Sequence, residues 1–464
     1  MRAPKSIDVI RLRPGQFIGD NSTCDHLIHE ALDNALDEVQ NGYGDTAGIS
    51  FSKSGAILVF DNGRGLPCGE AYDEDSGSKK DSVELIFTKL HSGTKFSLDD
   101  DHTSKSTGQN GVGNTCINAL SEIVDVKTRS KDKIWHYVFK NGELDKKEEI
   151  SEMKYSTEII FKPDKKYFGS VVPNYKLFYH RLRLAQAKLP EANFIFNGKP
   201  LEKESLEEFA RKQLDISDDT PIFNTSYKTK ILYKEPGQSK GIRRPVNIDV
   251  FLTYEQGDTV VTGDVNLRFC DGTYLNSIQN LIKKILPSKL DKKFQKAPER
   301  FLLEGLRLYA SLQYPLPGFD SQTKTRLVTN VKSDVIDPME ASISKILGEK
   351  HIKSVVEEIL SQKLSTTATK KVKKNRISSD NKLRDCINHG DGTTLYIVEG
   401  DQKLSRLNMN ETIRTTYRND NNLSFFTDHI DEMAEKYLSA ESVLRDCRNT
   451  HNEANLPLKN HVVA

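Results

Sequence analysis

The stretch Cys24–Gly42, CDHLIHEALDNALDEVQNG, constrains the fold more than any other part of the chain. Leu27, Ile28, Ala31, Leu32, Ala35, Leu36 and Val39 recur at helical spacing and predict an amphipathic helix with a broad apolar face. A second stripe runs beside it. His26, Glu30, Asn34 and Glu38 stand four residues apart and stack on one side of the helix. Taken alone, that stripe reads as a solvated face.

Composition sets bounds on the rest. A chain of 464 residues holds roughly two to four domains and can bury real cores. Lys and Arg (67) nearly cancel Asp and Glu (66), so any strongly charged binding surface is local. No stretch approaches the ~20 apolar residues of a membrane span. The N-terminal MRAPKSIDVIRLRPG has no apolar core of signal-peptide type. Cys24, Cys68, Cys116, Cys270, Cys386 and Cys447 are scattered, with no CxxC pair. That argues against a disulfide framework or a zinc site and fits a reducing, cytoplasmic setting.

In chain order, RLRPGQFIGD predicts a Pro-Gly turn with a short apolar patch before the organising helix. GISFSKSGAILVF reads as a β-hairpin that ends at Asp61-Asn62-Gly63-Arg64-Gly65. Two glycines so close at a strand end make a tight turn or let backbone approach a ligand. Residues 70–81 read as a polar, acidic loop, DSVELIFTKLH as a short helix, and SGTKFSLDDDHTSKSTGQNGVGN as a long lid-like loop. The loop ends in Gly108-Gln109-Asn110-Gly111-Val112-Gly113 and opens a helix at NTCINALSE. Such a loop can present free N–H groups to a phosphate. Its order, GxxGxG, is not that of a dinucleotide fold, and the chain has no GxxxxGK[ST].

EIVDVKTR, IWHYVFKNG, STEIIFKPD and NFIFNG read as strands, and NYKLFYHRLRLAQAKLP as a helix. After about residue 222 the pattern resets into a second α+β domain. KTKILYK, VNIDVFLTY, VTGDVNLRFCDG and LRLYASLQYPLP are its predicted strands. SIQNLIKKILPSKLD and the stretch around Ala297–Glu304 are its predicted helices. Residues 339–362 predict one further helix. Residues 363–384 carry eight basic residues against Asp380 and read either as a solvated linker or as a DNA-backbone contact. TTLYIVEGD is a last strand, running into Glu399-Gly400-Asp401, with a helix candidate near Asp428–Cys447.

Three signals in order, E-x-x-x-N on a helix, DNGRG after a strand and GxxGxG at a helix start, resemble the Bergerat (GHKL) ATP-binding fold of gyrase, heat-shock chaperones, histidine kinases and MutL. The resemblance implies that Asp61 accepts the adenine amino group, with Gly65 and Thr157 beside it. Asn34 would hold Mg²⁺ through its amide oxygen. Glu30 would activate water, with His26 orienting it and Arg64 pairing with Glu38. Gly108, Gln109, Asn110, Gly111, Val112 and Gly113 would wrap the phosphates of ATP under a lid at 95–107 that includes Lys95.

Further motifs narrow the resemblance. RPGQFIGD is similar to the RPGMYIGD opening of type II DNA topoisomerases, and LHSGTKF to LHAGGKF of the gyrase B and ParE line. Ser321-Gln322-Thr323-Lys324 resembles the QTK loop of the transducer domain, implying that Lys324, with Gln322, reaches the γ-phosphate. KLRDC and LYIVEGD resemble the entry to a Toprim domain, in which Glu399 would be a Mg²⁺ ligand. The fold class implied is α+β multidomain. An ATPase α/β sandwich (1–222) precedes a ribosomal-S5-like transducer domain (223–338). A helix and basic linker (339–392) then leads to an incomplete Toprim start with a polar tail (393–464).

The Toprim pattern stops after its first strand. Asp401 is followed by QKLSRLNMNET, and Asp428 and Asp431 lack the spacing of the expected aspartate pair. The resemblance therefore implies the ATPase subunit of a multi-subunit type II topoisomerase in a bacterial or phage-infected cell. Its partners would be double-stranded DNA, a second copy joined through the ATPase domain, and separate subunits. Those subunits would carry the remaining Toprim part and the cleavage tyrosine, with no membrane involved. The alternative is a non-cleaving, ATP-dependent DNA clamp or topoisomerase inhibitor.

Overall fold

The computed structural model describes residues 5–73, 76–90, 111–233 and 241–379, with two short strands at 395–398 and 415–418. Helices α1 (Ser6–Leu12) and α2 (Pro14–Ile18) open the chain. The expected Pro-Gly turn is thus the start of a helix: Pro14 takes the first helical position, where its missing N–H costs nothing. Gly19, at φ +70°, ends α2, and a Cβ there would press on the Thr323 side chain far along the chain. Helix α3 (Asp25–Gln40) is the predicted organising helix, and its apolar face is buried.

Strands β1 (Thr46–Phe51) and β2 (Ile57–Asp61) form the expected antiparallel hairpin. Residues 70–81, expected as a loop, form a second hairpin, β3 (Glu70–Asp73) and β4 (Ser78–Asp81). Its alternating polar side chains hide a strand that buries little. Helix α4 (Ser82–Thr88) is capped by the Asp81 carboxylate, which accepts from the Val83 and Glu84 N–H groups. Helix α5 (Gly113–Ala119) leads into β5 (Ser121–Ser130), β6 (Lys133–Lys140), β7 (Glu143–Ile150) and β8 (Thr157–Pro163). Sequence reading misses β7, ELDKKEEI, because an edge strand needs no apolar face and its charges discourage further pairing. Helix α6 (Tyr175–Lys188), β9 (Asn193–Phe196), β10 (Lys199–Pro200) and α7 (Leu206–Gln213) follow, α7 held by a Ser205–Glu208 capping box.

The eight strands run β10-β9-β1-β2-β8-β5-β6-β7. In β8 the alternate residues Thr157, Ile159, Phe161 and Pro163 are buried, the pattern of a sheet with one covered face. Helices α3, α5 and α6 share one core with that face. This is the expected α/β sandwich.

A second sheet begins with β11 (Phe223–Tyr233), β12 (Ile242–Tyr254), β13 (Val260–Val265) and β14 (Arg268–Phe269). VTGDVNLRFCDG is therefore not one strand. Asn266 and Leu267, at φ +50° and +65°, fold it into a β13–β14 hairpin. Asp271–Gly272 (β15) and helix α8 (Thr273–Ile285) precede β16 (Leu306–Gln313) and Arg326–Leu327 (β17). The sheet order is β11-β12-β16-β13-β14, with β13 parallel to β16 across α8. Around Ala297–Glu304, expected as a helix, only a 3-10 turn at Glu299–Phe301 forms. Phe251, Leu267 and Tyr309 of this second layer join the core of the first.

Residues 339–362 are two helices, α9 (Glu340–Ile346) and α10 (Lys350–Ser379), separated around Gly348. Helix α10 continues through the basic stretch expected as a linker, since Lys, Arg and Gln are good helix formers. Farther on, β18 (Leu395–Val398) is the predicted last strand and pairs in parallel with β19 (Thr415–Arg418). Residues Asp428–Cys447 and the aspartates within them lie outside the described residues.

Phe161 is fully buried in the central strand β8. Phe161→Ala is expected to lower the stability of the fold by about 3–5 kcal/mol, measured by urea denaturation.

Candidate functional site

The polar stripe of α3 is not a solvated face. His26 and Glu30 are each 6% exposed, and Asn34 and Glu38 are half-buried. What covers them comes from three other parts of the chain. Gly113, at the start of α5, lies so close that a Cβ would meet the Glu30 carboxylate at 2.6 Å. Asn34 Nδ2 donates to Asn114 Oδ1 (3.3 Å). Glu38 is held by Arg64, whose Nε and Nη2 donate to its two oxygens at 3.0 and 2.7 Å. The Arg64 guanidinium also sits 3.7 Å above the Tyr43 ring.

At the end of β2, Asp61 is buried beside Thr157 of the neighbouring strand. Its Oδ1 accepts from the Gly63 N–H (2.8 Å) and the Thr157 hydroxyl (3.3 Å). Gly65, at φ +78°, packs against the Arg129 carbonyl so closely that any Cβ would collide with it. Burial pushes the Asp61 carboxyl up to about 7, only partly offset by the Gly63 hydrogen bond. This carboxyl, with no cation bonded to it among the described residues, suits an incoming N–H donor.

The third component is the loop before β17. Lys324 is 4% exposed, and its Nζ donates to Glu30 Oε1 at 3.1 Å and to Asp33 Oδ2 at 3.4 Å. It adopts φ +57°, a left-handed conformation that costs a non-glycine residue roughly 1 kcal/mol. Gln322 lies half-buried two residues before it. Glu30 and His26, predicted from the α3 stripe, and Lys324, predicted from a separate motif, therefore meet at one point. His26 Nε2 lies 3.6 Å from Glu30 Oε1. Burial, opposed by Glu30 and reinforced by Arg268 and Lys324, holds the imidazole down at about 4, so it is neutral near pH 7. Burial alone would raise the Glu30 carboxyl, but Lys324, with His26 and Arg268, keeps it below its ordinary range.

Sequence reading missed three members of this site. Asp33, buried on α3, accepts from Arg181 Nη2 of α6 (2.6 Å) and from Arg268 Nη1 of β14 (2.8 Å). These cations hold its carboxyl well below the usual range against the opposing effect of burial. Arg181 falls within a predicted helix and Arg268 within a predicted strand, with no motif around either. Only the fold brings them to one carboxylate.

Gly111 and Val112 stand with Gly113 at the start of α5, Gly111 at φ +58° and Val112 buried. Lys95, Gly108, Gln109, Asn110 and Glu399 lie outside the described residues. Among the described residues, no cluster of three or more His, Cys, Asp or Glu side chains could hold a metal ion, and no helix is long and apolar enough to cross a membrane.

Residues 220–375 match the family model described as DNA gyrase B. The chain is 29% identical over 433 residues to the B subunit of DNA gyrase from Thermotoga maritima, covering 86% of this chain and 66% of that protein. It is 29% identical over 430 residues to the B subunit of DNA topoisomerase 4 from Staphylococcus aureus, covering 86% and 63%. The chain thus spans just under two thirds of the length of these curated relatives. In fold it is similar to the ATPase domain of Thermus thermophilus gyrase B (TM-score 0.54, 24% identity, 80% of this chain and 98% of that one). It is also similar to the ATPase region of Saccharomyces cerevisiae topoisomerase II (TM-score 0.59, 18% identity, the same coverage).

Because folding raises the Asp61 pKa to about 7, the folded state keeps a proton that the unfolded chain has released. Stability is therefore lost as pH rises from about 4 to about 7. Asp61→Asn should escape this loss. Its stability relative to wild type should climb across that window by up to about 4 kcal/mol, followed by urea denaturation at a series of pH values.

Proposed function

We propose that this chain, which belongs with the ATPase subunits of type II DNA topoisomerases, binds Mg·ATP at α3 and hydrolyses it. The single observation that carries the reading is Lys324, brought from the second sheet's loop to 3.1 Å from Glu30. A solvent-exposed loop lysine has no reason to sit 4% exposed on a buried glutamate. The side chains present fit a nucleotide. Gly65 and Gly113 let the two loops pack directly against the Arg129 carbonyl and the Glu30 carboxylate, where any Cβ would collide.

In this reading Asp61, with Thr157 and Gly65, receives the adenine amino group. Asn34 is a Mg²⁺ ligand through its amide oxygen. The ion, when bound, neutralises phosphate charge. The backbone of Gly111, Val112 and Gly113 faces the phosphates. Gly108, Gln109, Asn110 and Lys95 are assigned to the same role on the sequence motif alone. Glu30 takes a proton from water, and neutral His26 orients its carboxylate. Resting on Glu30, Lys324 keeps that carboxylate a weak base. Once Lys324, with Gln322, turns to a terminal phosphate, the largest charge opposing burial is gone and Glu30 becomes a better proton acceptor.

The domain limits follow as part of the proposal: an ATPase domain to 222, a transducer domain to 338, a helical connector to 392 and a Toprim start beyond it. The chain acts as a dimer that captures duplex DNA, with partner subunits completing the Toprim site, where Glu399 would contribute, and supplying the cleavage tyrosine. The alternative, a non-cleaving clamp or inhibitor, is favoured by the departure of the sequence after Asp401 from the Toprim pattern.

Glu30→Ala should bind ATP within about threefold of wild type while turnover falls by roughly 10²–10⁴. Asn34→Ala should lose about tenfold or more in Mg-dependent nucleotide affinity. Calorimetry and a phosphate-release assay check both, and wild-type turnover in Glu30→Ala overturns the assignment. Supercoiled DNA relaxed by the assembly that co-purifies with the chain, but not by its Glu30→Ala form, supports the topoisomerase reading. ATP hydrolysis without relaxation supports the clamp.

A further inference from the structure

We infer that Arg268 is the positioning residue for Lys324, with Asp33 as its fixed point on α3. The inference rests on the reading of Glu30 and Lys324 above and names the part that sets the lysine in place.

Arg268 is 3% exposed and spends its guanidinium on two partners. Nη1 donates to Asp33 Oδ2 at 2.8 Å, and Nη2 donates to the backbone carbonyl of Thr323 at 2.7 Å. Thr323 is the residue before Lys324. One planar fork therefore ties the loop backbone to the carboxylate that also accepts from Lys324 Nζ. On the far side of Lys324 the Thr325 carbonyl accepts from the Asp271 N–H (2.9 Å), so Arg268 supplies the tie on the near side, at Thr323, and the only one of the two that also reaches α3 through Asp33. Lys324 N donates to the Ser321 carbonyl within the loop itself, and the Thr323 methyl meets Gly19.

Arg268 is itself held. It follows the β13–β14 turn, in which Asn266 and Leu267 are left-handed. Arg181 from α6 donates twice to the Leu267 carbonyl (3.3 Å each) and once to Asp33 Oδ1 (2.6 Å). Its Nη1 also donates to His29 Nδ1 (2.8 Å). Tyr314, beyond β16, is locked to the same turn by its backbone N–H and carbonyl to the Asn266 side chain (2.9 Å each). The path runs from the second sheet through its turn to Arg268, and from there to the backbone that carries Lys324.

The consequence is a division of labour. Lys324 can leave Glu30 without leaving Asp33 uncompensated, because Arg181 and Arg268 remain on that carboxylate. Asp33 and Arg268 stay fixed while the lysine side chain swings. Both guanidinium contacts of Arg268 lie on the Lys324 side of the site, so it acts on recognition of the terminal phosphate and not on the rest of the nucleotide.

The test uses the full chain and two probes with Mg²⁺, ADP and a non-hydrolysable ATP analogue, with affinities read by calorimetry. The quantity of interest is the ratio of analogue to ADP affinity. Lys324→Ala should lower that ratio by about tenfold. Arg268→Gln should lower it to the same level, keep ADP affinity within about twofold, and add nothing further in the double variant. A wild-type ratio in Arg268→Gln overturns the inference, as does a double variant falling well below Lys324→Ala alone. Where Arg268→Gln does not fold, Arg268→Lys decides. It keeps the buried charge on Asp33, but a single ammonium cannot reproduce the fork, so the ratio should fall while ADP affinity holds. A wild-type ratio there overturns the inference. Wild-type protein that binds neither probe overturns the reading of the site itself, and this inference with it.

Discussion

The Glu30–Lys324 end of the candidate site depends on one buried carboxylate. Asp33 faces three cations that come from α6, β14 and the loop before β17. Removing it would leave buried positive charges uncompensated, a loss of about 3–5 kcal/mol in comparable cases. A buried ion pair is weak evidence for added stability, since an apolar replacement of the same shape does as well or better. Its value here is placement. The guanidinium forks accept only one arrangement, so the second sheet's turn and loop can settle against α3 in one register.

In the proposed reading, that arrangement keeps the site quiet until nucleotide binds. The lysine that reads as a sensor of the terminal phosphate lies on the residue that reads as the base. Together they form a neutral, buried pair, and the glutamate holds its proton less readily than an ordinary carboxyl. His26, neutral and adjacent, does not compete for the lysine's role. At the other end of the site Asp61 has the opposite environment: buried, with no cation bonded to it among the described residues, and raised to about 7. Two buried carboxylates are thus driven in opposite directions, as the proposed division between recognition at Asp61 and chemistry at Glu30 requires.

Much of this was legible in the sequence because it is periodic or local. The apolar face of α3, its four-residue stripe, the β1–β2 hairpin, the glycine pair at Gly63 and Gly65 and the Ser321–Lys324 loop all fall within a few residues. What was not legible is long-range or unpatterned. Asp33 meets Arg181 and Arg268 across separations of 148 and 235 residues, and nothing local marks either arginine. Strand β7 and the β3–β4 hairpin bury little and so carry no apolar alternation. Helix α10 runs through a basic stretch because its residues favour helix, whatever their charge. The VTGDVNLRFCDG segment read as one strand because Leu267, an apolar residue, occupies a left-handed turn position that usually goes to Gly or Asn.

The most direct test of this account is a crystal structure of the full chain with Mg²⁺ and a non-hydrolysable ATP analogue. Lys324 Nζ should have left Glu30 and moved within hydrogen-bond distance of the terminal phosphate. Arg181 and Arg268 should still be bonded to Asp33, and Arg268 to the Thr323 carbonyl. A nucleotide bound with Lys324 still on Glu30, or with Arg268 released from Asp33, would contradict it.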